Sequence, residues 1–204
     1  LSVLDHLSGG RVMLGIGRGL GRIEFEGFKV PMEDSRPKFV AHAKAILGAL
    51  ETGVLESDDP AYIQPRVDIR PAPLKSFKGR VYAAAVSPES ARIMAELGIG
   101  LLIIAQKPWD KTLEDIEHYN HVFREENNGA EPPRPMMLAF IGCHDDADVA
   151  QEMREKYLYR YSKSALEHYE FNNEGLADIK GYEYYAGLSK NINKHGVDKF
   201  VDFL

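Results

Sequence analysis

Four short apolar segments, each followed by a segment with helical periodicity, constrain the fold of this chain more than any other feature. In chain order, the predicted strand–helix pairs are Arg11–Gly17 with Arg36–Leu50, Val81–Val86 with Pro88–Leu97, Leu101–Ala105 with Thr112–Asn127, and Met136–Cys143 with Asp145–Tyr169. Near-continuous apolar strands are typical of parallel sheets that are covered on both faces. We therefore predict an α/β fold whose four strands are parallel neighbours in chain order, joined by right-handed crossovers.

The glycine-rich end of the first predicted strand points to a ligand. Gly15, Gly17 and Gly19 have no side chains to hold a ligand away from the backbone. A dinucleotide-binding fingerprint requires G-x-G-x-x-G leading straight into a helix, but the third position counted from Gly15 falls on Leu20. The twenty residues beyond are predicted to form a loop. The cluster is therefore either a ligand-binding strand end or a tight turn with structural glycines, and a Rossmann domain is excluded.

The segment from Leu4 to Gly19, LDHLSGGRVMLGIGRG, resembles the opening motif of the bacterial luciferase-like family of flavin-dependent oxidoreductases. The resemblance continues downstream at Glu24, Gly27, Ser35–Arg36 and Ser87–Ser90. It implies a (β/α)8 TIM barrel that uses reduced FMN or, in one branch, the deazaflavin F420. Such a barrel needs about 250 residues and eight strands. Residues 1–204 are therefore expected to form one partial barrel domain with family strands four to seven, lacking N-terminal and C-terminal barrel units.

The resemblance also implies which residues bind the cofactor. Arg18 and the backbone near Leu20 match positions that meet the flavin phosphate, and Glu24 matches an acidic position near the flavin pocket. Ser87 and Ser90 match hydroxyl positions that contact the same phosphate. Their order around a proline also fits an ordinary capped helix, with Ser87 at the N-cap and Ser90 at the third helical position. Both interpretations of this pair stay open at the level of sequence.

The implied activity is that of a monooxygenase using reduced FMN and O2 on a small organic substrate. F420-dependent hydride transfer and a non-catalytic, flavin-binding relative with a reduced barrel are the alternatives. A separate flavin reductase and a homo- or hetero-dimer are the implied partners. We name no catalytic residue, because the family's catalytic histidines commonly come from barrel strands that precede those found here.

Composition narrows the remaining classes of function. A net charge of −6 and a pI near 5.7, without a basic stripe, argue against nucleic acid or anionic membranes as partners. The longest apolar run, Ile99–Ala105, is too short to span a bilayer. The single cysteine, Cys143, suits a reducing compartment, and we expect the protein to be cytoplasmic. His118 and His121 are expected on a solvated helix face, and no motif for a metal is present.

Three further segments carry structural expectations. Ser8–Gly10 is expected to play a structural role at the N-terminal end of the first strand, and Ser57–Pro73 is expected to be an extended, proline-rich loop. Ser35 and Arg36 are expected to cap and open a helix. Seven of the ten tyrosines lie between Tyr157 and Tyr185. They either pack a long helix against the barrel or a partner subunit, or form an aromatic wall over an apolar substrate pocket.

Overall fold

The computed structural model describes residues 1–105 and 108–201 of the chain. The helices are Ser2–Leu7 (α1), Arg22–Phe28 (α2), Ser35–Thr52 (α3), Pro88–Glu96 (α4), Trp109–Glu126 (α5), Ala147–Met153 (α6), Tyr159–Tyr169 (α7) and Tyr185–Val201 (α8). The strands are Leu14–Ile16 (β1), Val54–Asp59 (β2), Tyr62–Asp68 (β3), Val81–Ala84 (β4), Gly100–Ile104 (β5) and Met136–Leu138 (β6). Short 3-10 helices cover Met32–Asp34 and Glu174–Asp178, and a π-helical segment covers Arg154–Leu158.

The four predicted strands form one parallel sheet in the order β1-β4-β5-β6, which is their order in the chain. Ile16 pairs with Ala83 on β4, and Ala84 pairs with Leu102 on β5. At the far edge, the N–H of Ala105 donates to the carbonyl of Leu138 at 3.1 Å. The predicted fold class is therefore confirmed, and the barrel is not closed within this chain.

The first of two compact units comprises Leu1–Arg18, Arg36–Ile103 and Thr112–Met136. Alternate residues of its strands face the helices and form its core, because successive side chains of a strand point to opposite faces. The largest buried members of that core are Leu50, Phe77, Val81, Met94, Ile99, Leu101, Ile103, Tyr119, Val122 and Phe123. The opposite face carries a cross-strand row of Gly15, Tyr82 and Gly100. A Cβ on Gly100 would lie 2.5 Å from the Tyr82 ring, so the ring covers this glycine.

The second unit comprises Gly19–Ser35, Ile104–Lys111 and Met137–Leu204. Its core consists of Met32, Leu166, Phe171, Leu176, Tyr182 and Ile192. Leu20 and Phe25 are half-buried and pack against this core. The single barrel domain expected over residues 1–204 stays a prediction.

A buried ion pair precedes β1 and β4 at their N-terminal ends. The Asp5 side chain is fully buried and accepts hydrogen bonds from Arg80 Nη1 at 2.7 Å and from the N–H groups of Leu74 and Lys75 at 3.2 Å. Arg80 Nη1 also donates to the carbonyl of Gly10 at 3.1 Å. The hydrogen bond from Arg80 lowers the pKa of Asp5, although burial acts in the opposite direction. The network supports the structural role expected for the Ser8–Gly10 turn, in which Gly10 has a positive φ of 81°.

Two predicted loops contain regular structure. The first, after Leu20, contains α2, because Leu20 and Phe25 find an apolar surface in the second core that local sequence does not show. The second, Ser57–Pro73, contains most of the antiparallel hairpin β2–β3. Pro65 lies within β3, where a two-stranded ribbon leaves one side of each strand without a ladder partner and so tolerates a proline. Both loop predictions were therefore wrong.

The remaining differences concern where elements begin and end. The first and fourth predicted strands are longer than β1 and β6, which have three residues each. The long helix expected over Asp145–Tyr169 is a succession of α6, the π-helical segment and α7. Ser35 is the first residue of α3 rather than its cap, and its hydroxyl bonds the Tyr182 side chain instead.

Candidate functional site

Arg18 lies just beyond the C-terminal end of β1 and is half-buried. The two glycines before it, Gly15 and Gly17, border open space, because a Cβ built on either would meet no heavy atom within 4 Å. In parallel α/β sheets, ligands bind beyond the carboxyl ends of the strands. Arg18 therefore stands at the end of the sheet where a ligand is expected, beside backbone that a ligand can approach closely.

Ser87 and Ser90 lie beyond the C-terminal end of β4, the neighbour of β1. Ser87 is the N-cap of α4, and its hydroxyl oxygen accepts the N–H of Ser90 at 3.2 Å. The same hydroxyl donates to Ser90 Oγ at 2.9 Å. Pro88 occupies the first helical position. The predicted cap geometry is therefore confirmed.

The bonding within this first turn determines which donors it can offer to an anion. Pro88 has no N–H, and the N–H groups of Ser90 and Ala91 are used by the hydroxyl and the carbonyl of Ser87. The Glu89 N–H and the hydroxyl proton of Ser90 remain the donors of this turn. Helix N-termini attract anions because their N–H groups and the helix dipole point outward. With an arginine on the adjacent strand, these groups suit a phosphate ester.

Arg36, which is expected to open a helix, also reaches this turn. Arg36, at the start of α3, forms an ion pair with Glu89, whose carboxylate lies in the first turn of α4. The Arg36 side chain is 18% exposed, whereas that of Glu89 is 63% exposed. Arg36 thus offsets a negative charge that would repel a phosphate. The sequence signal for it was its place in the Ser35–Arg36 pair of the family resemblance.

Leu20 and Glu24 belong to the second unit, where Leu20 is held by apolar packing and Glu24 by a polar contact with His168. Leu20 packs against the second core. The Glu24 carboxylate lies 2.9 Å from His168 Nε2 at the end of α7, and both side chains are nearly half exposed. Burial raises the pKa of Tyr169, and the charge of Glu24 raises it further. Glu24 therefore takes part in a contact between α2 and α7, and its expected place near a flavin stays a prediction.

A second ion pair reinforces this contact. Arg22 binds Glu170 with two parallel hydrogen bonds, Nε to Oε2 at 2.8 Å and Nη2 to Oε1 at 2.5 Å. This forked arrangement is the strong form of an arginine–carboxylate pair. The Arg22 guanidinium holds the pKa of Glu170 below its usual value. The segment after Arg18 is thus fastened to the end of α7.

The aromatic rings of the tyrosine-rich segment, for which packing and a substrate wall are both predicted, include buried and exposed members. Phe171 and Tyr182 are buried in the second core, and Tyr185 stacks on Phe171 with ring centroids 5.8 Å apart. Tyr157 and Tyr161 are 58% and 47% exposed. The buried rings pack within the second core, and packing of a long helix against the barrel or a partner subunit stays a prediction. The exposed rings keep the substrate-wall interpretation as a prediction.

Other kinds of site find little support in the part of the chain that the structure describes. No group of three or more His, Cys, Asp or Glu side chains is arranged to hold a metal ion there. Cys143 is exposed. None of the described helices combines the length and the apolar character needed to cross a membrane.

Comparison with known proteins now decides the family. The model of the luciferase-like monooxygenase family matches residues 1–204. The chain belongs to this family. It is 28% identical over 187 residues to the alkanal monooxygenase alpha chain of Photobacterium leiognathi, covering 90% of this chain and 51% of the relative. The chain thus spans about half the length of the curated relatives it matches.

Solved structures show the same fold at lower identity. The monooxygenase RslO1 of Streptomyces bottropensis superposes with a TM-score of 0.73 at 15% identity, over 99% of this chain and 68% of RslO1. The coenzyme F420 dependent tetrahydromethanopterin reductase of Methanopyrus kandleri superposes with a TM-score of 0.62 at 16% identity, over 100% and 60%. The luciferase-like chain therefore has both monooxygenases and F420-dependent oxidoreductases among its structural neighbours.

Proposed function

We propose that this protein is part of a flavin-dependent monooxygenase that uses reduced FMN and O2 to oxidise a small organic substrate. The observation that carries the proposal is the location of Arg18 and of the Ser87/Ser90 turn beyond the C-terminal ends of two adjacent strands, β1 and β4. Family membership supports the same chemistry.

The chain's own residues supply the anchor for the cofactor phosphate. Arg18 contributes the positive charge, and Ser90 contributes its hydroxyl proton at the N-terminus of α4. Ser87 shapes the turn by capping it, and Arg36 neutralises Glu89. Gly15 and Gly17 leave room for the cofactor along the strand end. The backbone near Leu20 is proposed to meet the phosphate, and Glu24, oriented by His168, to lie near the flavin pocket.

When bound, reduced FMN supplies the electrons and O2 the oxygen for oxidation of the substrate. The protein's part is to fix the phosphate, exclude water and shape the substrate cavity. The exposed Tyr157 and Tyr161 are the candidates for an aromatic wall of that cavity.

F420-dependent hydride transfer is the second candidate, favoured by the F420-dependent structural neighbours. Both cofactors carry phosphate, so the binding of a phosphate does not by itself distinguish them. We favour FMN because the pattern of Arg18 with Ser87 and Ser90 most resembles the FMN-dependent branch. A flavin-binding relative without turnover is the third candidate, and binding without substrate oxidation would identify it.

We further propose that the protein acts as a homo- or hetero-dimer in the cytoplasm and receives its reduced flavin from a separate reductase. The relatives that support a dimer include both alpha and beta chains of alkanal monooxygenase.

The anchor is tested by replacing Arg18 with alanine and titrating FMN and riboflavin by flavin fluorescence. Riboflavin lacks the phosphate, so the variant should weaken FMN binding about 10- to 150-fold, as expected for loss of a hydrogen bond to a charged group, and leave riboflavin binding nearly unchanged. Arg11→Ala, an exposed arginine before β1, is the matched control and should alter neither affinity. Equal weakening of both flavins would mean that Arg18 acts through the fold.

A further inference from the structure

The hydroxyl of Tyr182 joins the two ends of the segment that runs from Gly19 to Ser35. Tyr182 Oη lies 3.2 Å from the carbonyl oxygen of Gly19 and 3.0 Å from Ser35 Oγ. Tyr182 is fully buried in the second core, and the Ser35 side chain is also buried. One phenol thus closes a loop of seventeen residues, numbers 19–35, at its base.

The direction of the two hydrogen bonds follows from proton counting. A carbonyl oxygen can only accept, so the single proton of the Tyr182 phenol goes to Gly19. Ser35 must then donate its own proton to Tyr182 Oη. Removal of the Tyr182 hydroxyl therefore leaves the buried Ser35 hydroxyl without this partner, which is costly.

The chain places an arginine immediately outside each end of this loop. Arg18 precedes Gly19, and Arg36 follows Ser35. Both arginines belong to the first unit, which also contains the Ser87–Ser90 turn. Each arginine is the neighbour in the chain of a residue that bonds Tyr182, so a shift of Gly19 or Ser35 is passed to an arginine through one peptide bond.

We propose that Tyr182 is a positioning residue for the phosphate anchor, acting on Arg18 and Arg36 through the two ends of the 19–35 loop. This inference rests on the proposed function, in which Arg18 binds the cofactor phosphate. The Arg22–Glu170 and Glu24–His168 pairs hold the middle of the loop, whereas Tyr182 alone among the described side chains bonds to both of its end residues.

The test is Tyr182→Phe, which removes the hydroxyl and keeps the ring in the core. The ratio of FMN affinity to riboflavin affinity should fall by about three- to tenfold, the range expected for losing ordinary hydrogen bonds, because only FMN depends on the arginines. The matched control is Tyr119→Phe. Tyr119 is another fully buried tyrosine, whose hydroxyl donates to the carbonyl of Ile99 at 2.8 Å. The Tyr119→Phe variant should lose about as much stability as Tyr182→Phe, but its ratio of FMN affinity to riboflavin affinity should equal that of the parent protein.

Ser35→Ala removes the other hydroxyl of the link and provides a second test if Tyr182→Phe fails to fold. It should lower the ratio by a smaller factor, because the bond from Tyr182 to Gly19 remains, and the double variant should be no worse than Tyr182→Phe. An unchanged ratio in a folded Tyr182→Phe or Ser35→Ala protein would overturn the inference. If Arg18→Ala also leaves the ratio unchanged, the phosphate anchor itself is wrong. If Arg18→Ala lowers it and the two loop variants do not, only the positioning role fails.

Discussion

Variants of the two serines at the start of α4 should separate helix capping from phosphate binding, because the Ser87 hydroxyl caps the helix and the Ser90 hydroxyl is the proposed phosphate donor. Ser87 Oγ accepts the N–H of Ser90, so Ser87→Ala removes the cap. Loss of an N-cap costs about 0.5–2 kcal/mol. For a protein of this size, 1 kcal/mol corresponds to roughly 2–4 °C in melting temperature. Ser87→Ala should therefore lower the melting temperature by a few degrees.

Ser90→Ala leaves this cap in place, because the bond from Ser90 to Ser87 uses the backbone N–H. The variant loses the Oγ–Oγ bond at 2.9 Å and gains a better helix former, so its melting temperature should change little. It also loses the proton offered to the phosphate. A hydrogen bond to a charged group contributes about 1.5–3 kcal/mol. Its loss should lower the affinity for FMN about 10- to 150-fold and leave the affinity for riboflavin unaltered.

The assay combines thermal unfolding by circular dichroism with fluorescence titrations of FMN and riboflavin on both variants. The decisive comparison is the order of the variants, with Ser87→Ala the less stable and Ser90→Ala selectively weak for FMN. A Ser90→Ala protein whose preference for FMN over riboflavin equals that of the parent would refute the phosphate role of this turn. Only the capped-helix interpretation would then remain.

Two further predictions concern the strands that carry the site. Gly15→Val should melt at nearly the same temperature as the parent, because the Cβ enters open space, but it should weaken the binding of FMN and riboflavin alike by blocking their approach. Normal flavin binding by Gly15→Val would contradict this expectation. Gly100→Ala, whose Cβ meets the Tyr82 ring, should instead lower the melting temperature in the same thermal unfolding experiments. Asp5 has a pKa below its usual value of 3.8, so its contribution to stability is present above that value and is lost as the pH falls through it toward the lower pKa of the folded state. Asp5→Asn should therefore unfold at a lower denaturant concentration than the parent at pH 7, and it should lose much less further stability on acidification. Equal denaturation midpoints of the two proteins at pH 7 would show that the Arg80 contact contributes nothing to stability.

Features encoded by neighbouring residues could be predicted from the sequence. The apolar runs gave the sheet and its order, and the cap of α4 could be predicted because Ser87, Pro88 and Ser90 lie within four positions of one another. The ligand-binding end of the sheet followed from the same strand order. Whether Arg18 and the serines hold a phosphate is still a prediction.

Features that depend on distant partners could not be predicted. Tyr182 is 163 residues from Gly19 and 147 from Ser35, and no local pattern links them. Helix α2 was missed for the same reason, because the apolar surface that holds Leu20 and Phe25 comes from the C-terminal part of the chain. The hairpin β2–β3 was missed because Pro65, judged from its neighbours in the sequence alone, favours a loop.

The ion pair between Asp5 and Arg80 also has a consequence for synthesis of the protein. The two residues are 75 positions apart, and Arg80 immediately precedes β4, the strand that pairs with β1. At about 5–20 residues per second, the ribosome needs roughly 4–15 s to add this stretch. During that time the Asp5 carboxylate lacks its arginine and the apolar edge of β1 lacks β4. Nascent chains should therefore depend on chaperones until Arg80 emerges and fixes both strands at once.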